Sequence, residues 1–156
     1  MAFAQKKTVQ IETGLNYPIG FVKDGNKENH IGLYINGIYN FSNSPLSAKL
    51  RISYESYTVA MKEYLNSPFN GRSIVVLPSV SYNFPISSRV AFYAGAGVGV
   101  TFDNMNRGVF NNGMECHAVF APQVGVNIIN HFNVSAQYSI TQKDFSRLML
   151  GVGYIF

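Results

Sequence analysis

The last ten residues of the chain, Arg147 to Phe156, constrain its fold more strongly than any other stretch. In an extended strand, successive side chains point to opposite faces of the sheet, so alternate residues share a face. One face of this segment is uniformly large and apolar: Leu148, Leu150, Val152, Tyr154 and Phe156. The other face is mostly small and starts with a charge: Arg147, Met149, Gly151, Gly153 and Ile155. Because this second face is too empty to form a solvent-exposed surface, the segment predicts a strand with an apolar outer face and a Gly-rich inner face.

Seven earlier segments show the same alternation, and residues that favour turns separate them. The predicted strands cover residues 6–21, 31–41, 48–57, 74–84, 90–102, 117–128, 132–140 and 147–156. Short turns alternate with longer polar connections, which cover residues 22–29, 61–72, 103–113 and 142–146. One stretch, 59–65, has some helical character and is assigned to a loop. The pattern predicts an all-β, eight-stranded antiparallel up-and-down barrel with both termini at the same end.

Length and composition exclude several other classes of protein. A chain of 156 residues suits one domain. Although 47% of the residues are hydrophobic, no window approaches the ~20 consecutive apolar residues of a membrane-spanning helix. The single Cys116 excludes an internal disulfide and a multi-cysteine metal site. The net charge of +4 comes without a continuous basic run, so a nucleic-acid partner is not expected.

The first residues suggest the compartment. Ala2-Phe3-Ala4 has the small-x-small form of a signal-peptidase site, although no apolar leader precedes it. We therefore expect residues 1–7 to be the remnant of a cleavage site with an N-terminal tail, and residues 8–156 to form the barrel. This form points to a protein exported in a Gram-negative bacterium.

The charged residues of the strands distinguish a membrane barrel from a soluble one. From residue 8 onward all of them, with Arg89 next to the strand 90–102, fall on the small, polar face: Glu12, Lys49, Arg51, Glu55, Arg89 and Arg147. A soluble barrel or sandwich, such as a lipid-binding one, would turn its apolar face inward and cover the other with Lys and Glu. Only 13% of this chain is charged, about half the usual share of roughly 25%. A polar lumen inside an apolar exterior is the better interpretation.

The aromatic residues of the predicted outer face are sorted into two levels. One set lies at the end that holds the termini: Tyr39, Phe41, Tyr82, Phe84, Phe92, Phe132, Tyr154 and Phe156. The second set lies toward the other end: Tyr17, Phe21, Tyr54, Phe102, Phe120 and Tyr138. Two aromatic belts around an aliphatic middle are typical of the two interfaces of a membrane.

These features together resemble the small eight-stranded bacterial outer-membrane β-barrels of the OmpX and OmpA transmembrane-domain type. The resemblance covers nearly all of the chain from Thr8 onward, and the Gly-Val-Gly-Tyr-Ile-Phe ending is its most specific part. It implies an outer-membrane location with periplasmic termini. It also implies that Tyr154 and Phe156 belong to the signal read by the barrel-assembly machinery. Pro78 and Pro122 depart from the pattern, because proline removes a ladder donor, and bulges or widened pairing are expected there.

An eight-stranded barrel has an interior that side chains can just fill, so we expect a closed lumen. Its expected polar network comprises Glu12, Lys49, Arg51, Glu55, Arg89, His117, Gln123 and Arg147. Residue depth predicts that Glu12 pairs with Lys49 or Arg51, and Glu55 with Arg147 or His117, because unpaired charges would be costly there. The inward row Gly95, Gly97 and Gly99 is expected to make room for Tyr34, Tyr57 and the cationic side chains.

The chemistry of the chain favours a structural, surface-interaction or envelope-stability role over catalysis, either alone or as a subunit of a larger complex. His117 near Glu115 is the one arrangement that suggests a lipid A or phospholipid hydrolase, which stays as an alternative. A small channel is another alternative. No clustered metal ligands and no cofactor motif are present. Six cations in the connections are candidate contacts for lipopolysaccharide phosphates: Lys23, Lys27, Lys62, Arg72, Arg107 and Lys143.

Overall fold

The computed structural model describes residues 8–20, 25–61, 69–107, 110–111, 114–141 and 146–156. Its strands are β1 (Val9–Gly20), β2 (Gly25–Asn29), β3 (Gly32–Asn40), β4 (Leu46–Met61), β5 (Phe69–Pro85), β6 (Val90–Arg107), β7 (Phe110–Asn111), β8 (Glu115–Ile128), β9 (Phe132–Thr141) and β10 (Arg147–Ile155). No helix in the described part of the chain is long and apolar enough to span a membrane. The expected cleavage-site remnant, residues 1–7, lies outside the described residues.

The strands form one antiparallel sheet that closes on itself. Its order is β4-β3-β1-β10-β9-β8-β6-β5, and β5 pairs with β4 to complete the ring. The first and last strands meet along a continuous ladder from Glu12–Ile155 to Gly20–Arg147. The short β2 continues the line of β3 along β4, and β7 pairs with the end of β6. The predicted eight-stranded up-and-down barrel is confirmed.

The predicted division of side chains between the two faces is also confirmed. On β10, Leu150, Val152 and Tyr154 are exposed on the outside, while the residues between them are buried. The same alternation runs along β3, β8 and β9. Successive side chains of a strand point to opposite faces, so an odd or even position in the strand, which we call its parity, decides whether a side chain lies inside or outside the barrel.

Three short turns and both described chain ends lie at one end of the barrel. The turns cover residues 41–45, 86–89 and 129–131. The last turn includes Ile129 and Asn130 with positive φ angles of 54° and 59°. It contacts the final strand, because the Ile155 N–H donates to the carbonyl of His131 at 2.6 Å. We call this end of the barrel the turn end, and the opposite end the tall end.

Three strands are much longer than the sequence pattern predicts. β4, β5 and β6 contain 16, 17 and 18 residues, whereas β3, β9 and β10 contain 9, 10 and 9. The predicted connections 22–29, 61–72 and 103–113 are therefore partly wrong, since 25–29, 69–72, 103–107 and 110–111 are strand. Apolar and polar residues alternate only where the two faces of a strand meet different environments, so the pattern predicts only that part of the strand. A ladder of backbone hydrogen bonds can continue beyond it.

A bulge joins β2 to β3. The β3–β4 ladder includes Leu33–Tyr54, and the β2–β4 ladder resumes at Asn29–Tyr57. His30 and Ile31 therefore lie opposite the single residue Ser56, to whose carbonyl the His30 N–H donates at 3.3 Å. This extra residue places β2 one position out of register with β3.

Pro78 and Pro122 leave the register of their strands intact. Between β5 and β6, the ladder passes from Val76–Val100 to Ser79–Gly97 with no inserted residue. Next to Pro122, the β8–β9 ladder similarly passes from Phe120–Ile140 to Gln123–Gln137. The expected bulges are absent from these described strands, and each missing proline donor interrupts the pairing locally.

The aromatic residues at the turn end pack against one another in small groups. Ring centroids lie 5.2 Å apart for Tyr39 and Phe41, and 5.9 Å apart for Phe84 and Phe92. Tyr154 lies 5.0 Å from Phe156 and 5.5 Å from Phe132, both edge to face. All members of the second predicted belt lie within the described residues except Phe21.

Candidate functional site: the barrel lumen

Six of the eight side chains predicted for the lumen network are buried inside the barrel: Glu12, Lys49, Arg51, Glu55, Gln123 and Arg147. His117 is partly exposed at the tall end. Arg89 is exposed in the turn before β6, so its predicted place in the lumen is wrong. The reason is that the alternation was extended one residue too far, since β6 begins at Val90.

Glu12 is the centre of the hydrogen-bond network. Its carboxylate accepts hydrogen bonds from the Tyr34 hydroxyl at 2.6 Å and from the Asn133 amide at 2.7 Å. Asn36 donates a third at 3.1 Å. The Tyr93 hydroxyl in turn donates to Asn133 at 3.2 Å. Three neutral donors therefore solvate a fully buried carboxylate, which offsets the cost of removing it from water.

The two cations predicted to pair with Glu12 lie over tyrosine rings, and the predicted pairing with Arg51 is wrong, since no ion pair joins these two described residues. The Arg51 guanidinium lies over the Tyr34 ring, with its central carbon 3.9 Å from the centroid. The Lys49 ammonium lies 3.5 Å from the centroid of the Tyr93 ring. Both geometries are cation–π contacts, so each tyrosine interacts with a cation through its face and with an amide or carboxylate through its hydroxyl.

Arg51 also bridges the full width of the lumen. Its Nη1 donates to Oε1 of Gln137 at 2.7 Å, and Gln137 donates to Ser139 at 3.1 Å. Arg51 lies on β4 and Gln137 on β9, which are diametrically opposite in the ring. Side chains of two opposite strands therefore meet across the lumen at this level.

The tyrosine rings lie against glycines of strands that the prediction did not choose. A Cβ added to Gly125 would meet the Tyr93 ring and hydroxyl at 2.5 Å. A Cβ added to Gly14 would lie 2.6 Å from the Tyr34 ring. The expected partners Gly95, Gly97 and Gly99 instead lie close to β5, so that assignment is wrong, and the Tyr57 side chain lies outside the described residues.

A second set of charges fills the tall end of the lumen. The Arg147 guanidinium and the Glu55 carboxylate are 2.6 Å apart and both buried, which confirms the predicted ion pair. Nearby, the hydroxyls of Ser73 and Thr101 both donate to the carboxylate of Asp103. Asp103 and Ser73 were missed because the sequence pattern placed both residues at the edges of loops.

His117 and Glu115 form the pair that suggested a hydrolase. Nε2 of His117 is 3.3 Å from the Glu115 carboxylate, with the two side chains 30% and 63% exposed. Ser73 lies on β5, two strands from His117, and its fully buried hydroxyl donates to Asp103. A buried hydroxyl already engaged as a donor is poorly placed to attack a lipid ester. Among the described residues, no group of acidic, His and Cys side chains could hold a metal ion.

One part of the lumen is apolar, which the sequence interpretation missed. Val75 and Leu77 on β5 pack with Val119 and Ala121 on β8 as one buried cluster. Gly97 and Gly99 of the intervening strand β6 have no side chains to separate them. Parity places all four residues inside, so they could have been found by following the inward row of each strand.

At the turn end, an unbroken chain of side-chain hydrogen bonds crosses four neighbouring strands. Asn83 donates to Ser47 at 2.7 Å, Ser47 to Asn40 at 2.7 Å, and Asn40 to Gln10 at 2.8 Å. These residues and Lys49 line a small polar cavity. The described part of the lumen thus contains polar hydrogen-bonded groups at both ends.

The described members of the remaining predicted sites lie on the outer surface. Tyr154 and Phe156 are exposed on the outside of the closing strand, at the turn end. Of the six candidate cations for lipopolysaccharide, Arg72 has a described side chain and is exposed on β5. The side chains of Lys23, Lys27, Lys62, Arg107 and Lys143 lie outside the described residues.

No protein-family model and no curated protein sequence matches the chain. Several solved structures, in contrast, match its fold. The outer membrane protein OprG of Pseudomonas aeruginosa aligns with a TM-score of 0.66 at 14% identity, over 95% of each chain. Neisserial surface protein A aligns with 0.65 at 15% identity, over 96% of each chain. Ail, the attachment invasion locus protein of Yersinia pestis, aligns with 0.55 at 18% identity, over 95% of this chain and 97% of that one. At these identities, the likeness concerns the fold.

Proposed function

We propose that this chain, which has the fold of the small eight-stranded bacterial outer-membrane β-barrels, is a closed and non-enzymatic barrel of the outer membrane. The observation that carries the proposal is the hydrogen bond from Arg51 to Gln137 between opposite strands, inside a wall whose outer face is apolar. An aqueous pore would need that cross-section free. A packed lumen serves instead as the core of the protein, with the lipid as its outer solvent.

The turn end faces the periplasm in this proposal, and the tall end faces the outside of the cell. Outer-membrane barrels have short periplasmic turns and periplasmic chain ends, and in the described part of the chain the turns 41–45, 86–89 and 129–131 and both chain ends lie at the turn end. The closing strand, with Tyr154 and Phe156 exposed on its outer face, is the segment that the barrel-assembly machinery reads. Outer-membrane lipid and lipopolysaccharide surround the wall.

The role of the barrel is surface interaction or envelope stability. A tilted strand spans a bilayer with about 9–11 residues, whereas β4, β5 and β6 contain 16, 17 and 18. These three neighbouring strands therefore project beyond the membrane on one side of the barrel. The projecting sheet is the surface on which a partner binds in this proposal.

The proposal is tested by refolding the denatured chain into phosphatidylcholine vesicles. We expect a β-rich, membrane-inserted species that migrates differently on gels with and without boiling. A chain that stays monomeric and soluble in buffer without lipid would contradict the membrane location. Catalysis is tested separately, by expressing the chain in an outer membrane and analysing lipid A by mass spectrometry. Loss of an acyl chain that requires His117 would replace this proposal with the hydrolase alternative.

A further inference from the structure

A row of polar side chains crosses the outer face of the three long strands. Ser56 of β4 is opposite Arg72 of β5, and Arg72 is opposite Asn104 of β6. Arg72 and Asn104 are exposed, and Ser56 is partly exposed. We call these three residues the polar row. They share strand parity with Tyr54, Ile74 and Phe102, which form the adjacent apolar row on the same face.

The polar row lies where the apolar exterior ends. The next row toward the turn end is aromatic and aliphatic, with Tyr54 and Ile74 exposed. Arg72 is 12 residues before Phe84, a member of the aromatic belt at the turn end. With a rise of about 3.3 Å per residue and a tilt of about 40°, this separation is roughly 30 Å along the membrane normal. That distance matches the hydrocarbon thickness of a bilayer, so Arg72 reaches the headgroup level of the far leaflet.

The charge of Arg72 is available for a ligand. In the described part of the chain, no carboxylate forms an ion pair with it. The described cations of the lumen, in contrast, are buried. An arginine presents five donors in a planar fork that suits a phosphate group, and the Asn104 amide and Ser56 hydroxyl add further donors. Adjacent strands are about 4.8 Å apart, so one phosphate can contact two neighbouring members of the row.

We propose that the polar row binds a phosphate of lipid A in the outer leaflet, and so fixes lipopolysaccharide against the long-strand side of the barrel. This inference rests on the proposed function, because the orientation given there places the tall end in the outer leaflet. The shorter strands β9 and β10 end close to this level, so the row belongs to one side of the barrel. Lipopolysaccharide would then support the base of the projecting sheet.

Native mass spectrometry of the folded chain in detergent tests the proposal with three lipids: bisphosphorylated lipid A, the same lipid dephosphorylated, and phosphatidylglycerol. We expect the wild-type protein to bind bisphosphorylated lipid A roughly tenfold more tightly than either of the others, since a charge-assisted hydrogen bond has about that value. Arg72→Gln should reduce this affinity to the level of the dephosphorylated lipid. Asn104→Asp, which adds a competing carboxylate beside Arg72, should also weaken binding.

Arg89→Gln is the matched control, because Arg89 is an exposed arginine at the opposite end of the barrel. It should bind bisphosphorylated lipid A as the wild type does. Equal losses in the Arg72 and Arg89 variants, no preference of the wild type for the phosphorylated lipid, or equally tight binding of phosphatidylglycerol would each overturn the proposal. The comparison of lipids needs only the wild-type protein, so a variant that fails to fold does not prevent the test. Insertion into phosphatidylcholine vesicles tests the proposed function independently, because those vesicles contain no lipid A.

Discussion

The two buried glutamates of the lumen are stabilised in different ways. Glu55 has a direct ion pair with Arg147, whereas Glu12 accepts hydrogen bonds from Tyr34, Asn36 and Asn133. The first arrangement could be predicted, because strand parity and depth bring two opposite charges to the same end of the lumen. The second could not, because the pattern does not show how far a tyrosine ring reaches across the interior.

Replacing Glu12 by Gln should destabilise the folded barrel by about 2–3 kcal/mol. Three donors point at the Glu12 carboxylate. The glutamine carboxamide has a single acceptor oxygen, and its own N–H groups would face the donors that this oxygen does not reach. Urea unfolding in detergent micelles measures this change. Glu115→Gln is the control, since that side chain is 63% exposed, and it should change stability by no more than about 0.5 kcal/mol. Equal effects of the two substitutions would show that the network around Glu12 contributes little.

The Glu55–Arg147 pair should be strongly non-additive. Arg147→Met alone, or Glu55→Leu alone, leaves a buried charge without its partner and should cost about 3–5 kcal/mol. The double variant removes both charges and should be more stable than either single variant. A double-mutant cycle from the same urea unfolding experiment measures the coupling. Additive losses would contradict the pairing at 2.6 Å.

At the scale of the strands, inner-row glycines provide space for the two lumen tyrosines. Parity predicted which glycines point inward, and this was correct for β8 and β10. It did not predict which of them a ring covers, because that depends on side-chain direction across several strands. The strand lengths were also underestimated wherever the ladder continues beyond the apolar band, as in Phe69–Arg72 of β5.

Gly125→Ala and Gly37→Ala form a matched pair that tests this packing. An added Cβ at Gly125 would meet the Tyr93 ring at 2.5 Å, whereas at Gly37 it would meet nothing within 4 Å. We expect Gly125→Ala to destabilise the barrel by about 1–3 kcal/mol through overpacking. Gly37→Ala should be neutral or slightly stabilising. Unfolding midpoints in micelles measure both, and a similar loss at the two positions would contradict the contact between Tyr93 and β8.

Phe156 tests the closing strand as an assembly signal. Its ring is exposed on the outer face and its N–H donates to the carbonyl of Ile11 at 2.9 Å. Phe156→Asp keeps that backbone bond and changes only the outer surface. We expect it to reduce insertion in cells much more than refolding in detergent, as measured by the gel shift on boiling. Leu150→Asp, on the same outer face but inside the strand, should impair both. Equal impairment by Phe156→Asp in cells and in detergent would show that Phe156 contributes packing and no assembly signal.

At the scale of the whole molecule, the chain is a barrel with its polar groups inside and its apolar groups outside. The alternation of the strands was sufficient to predict this arrangement, because one face of every strand had to meet a different medium from the other. The small apolar cluster around Leu77 is an exception inside the lumen. It lies where the inward positions of β6 are Gly97 and Gly99, which leave room for these side chains.

Planar-bilayer recording tests the closed lumen most directly. The wild-type chain is inserted into a lipid bilayer in salt solution, and insertion is verified by the gel shift of the recovered protein. The hydrogen bond of Arg51 to Gln137 between opposite strands, with Glu12, Tyr34 and Tyr93 packed beside it, predicts no steady ion conductance. A stable conductance with steps of uniform size from the inserted protein would contradict the closed barrel.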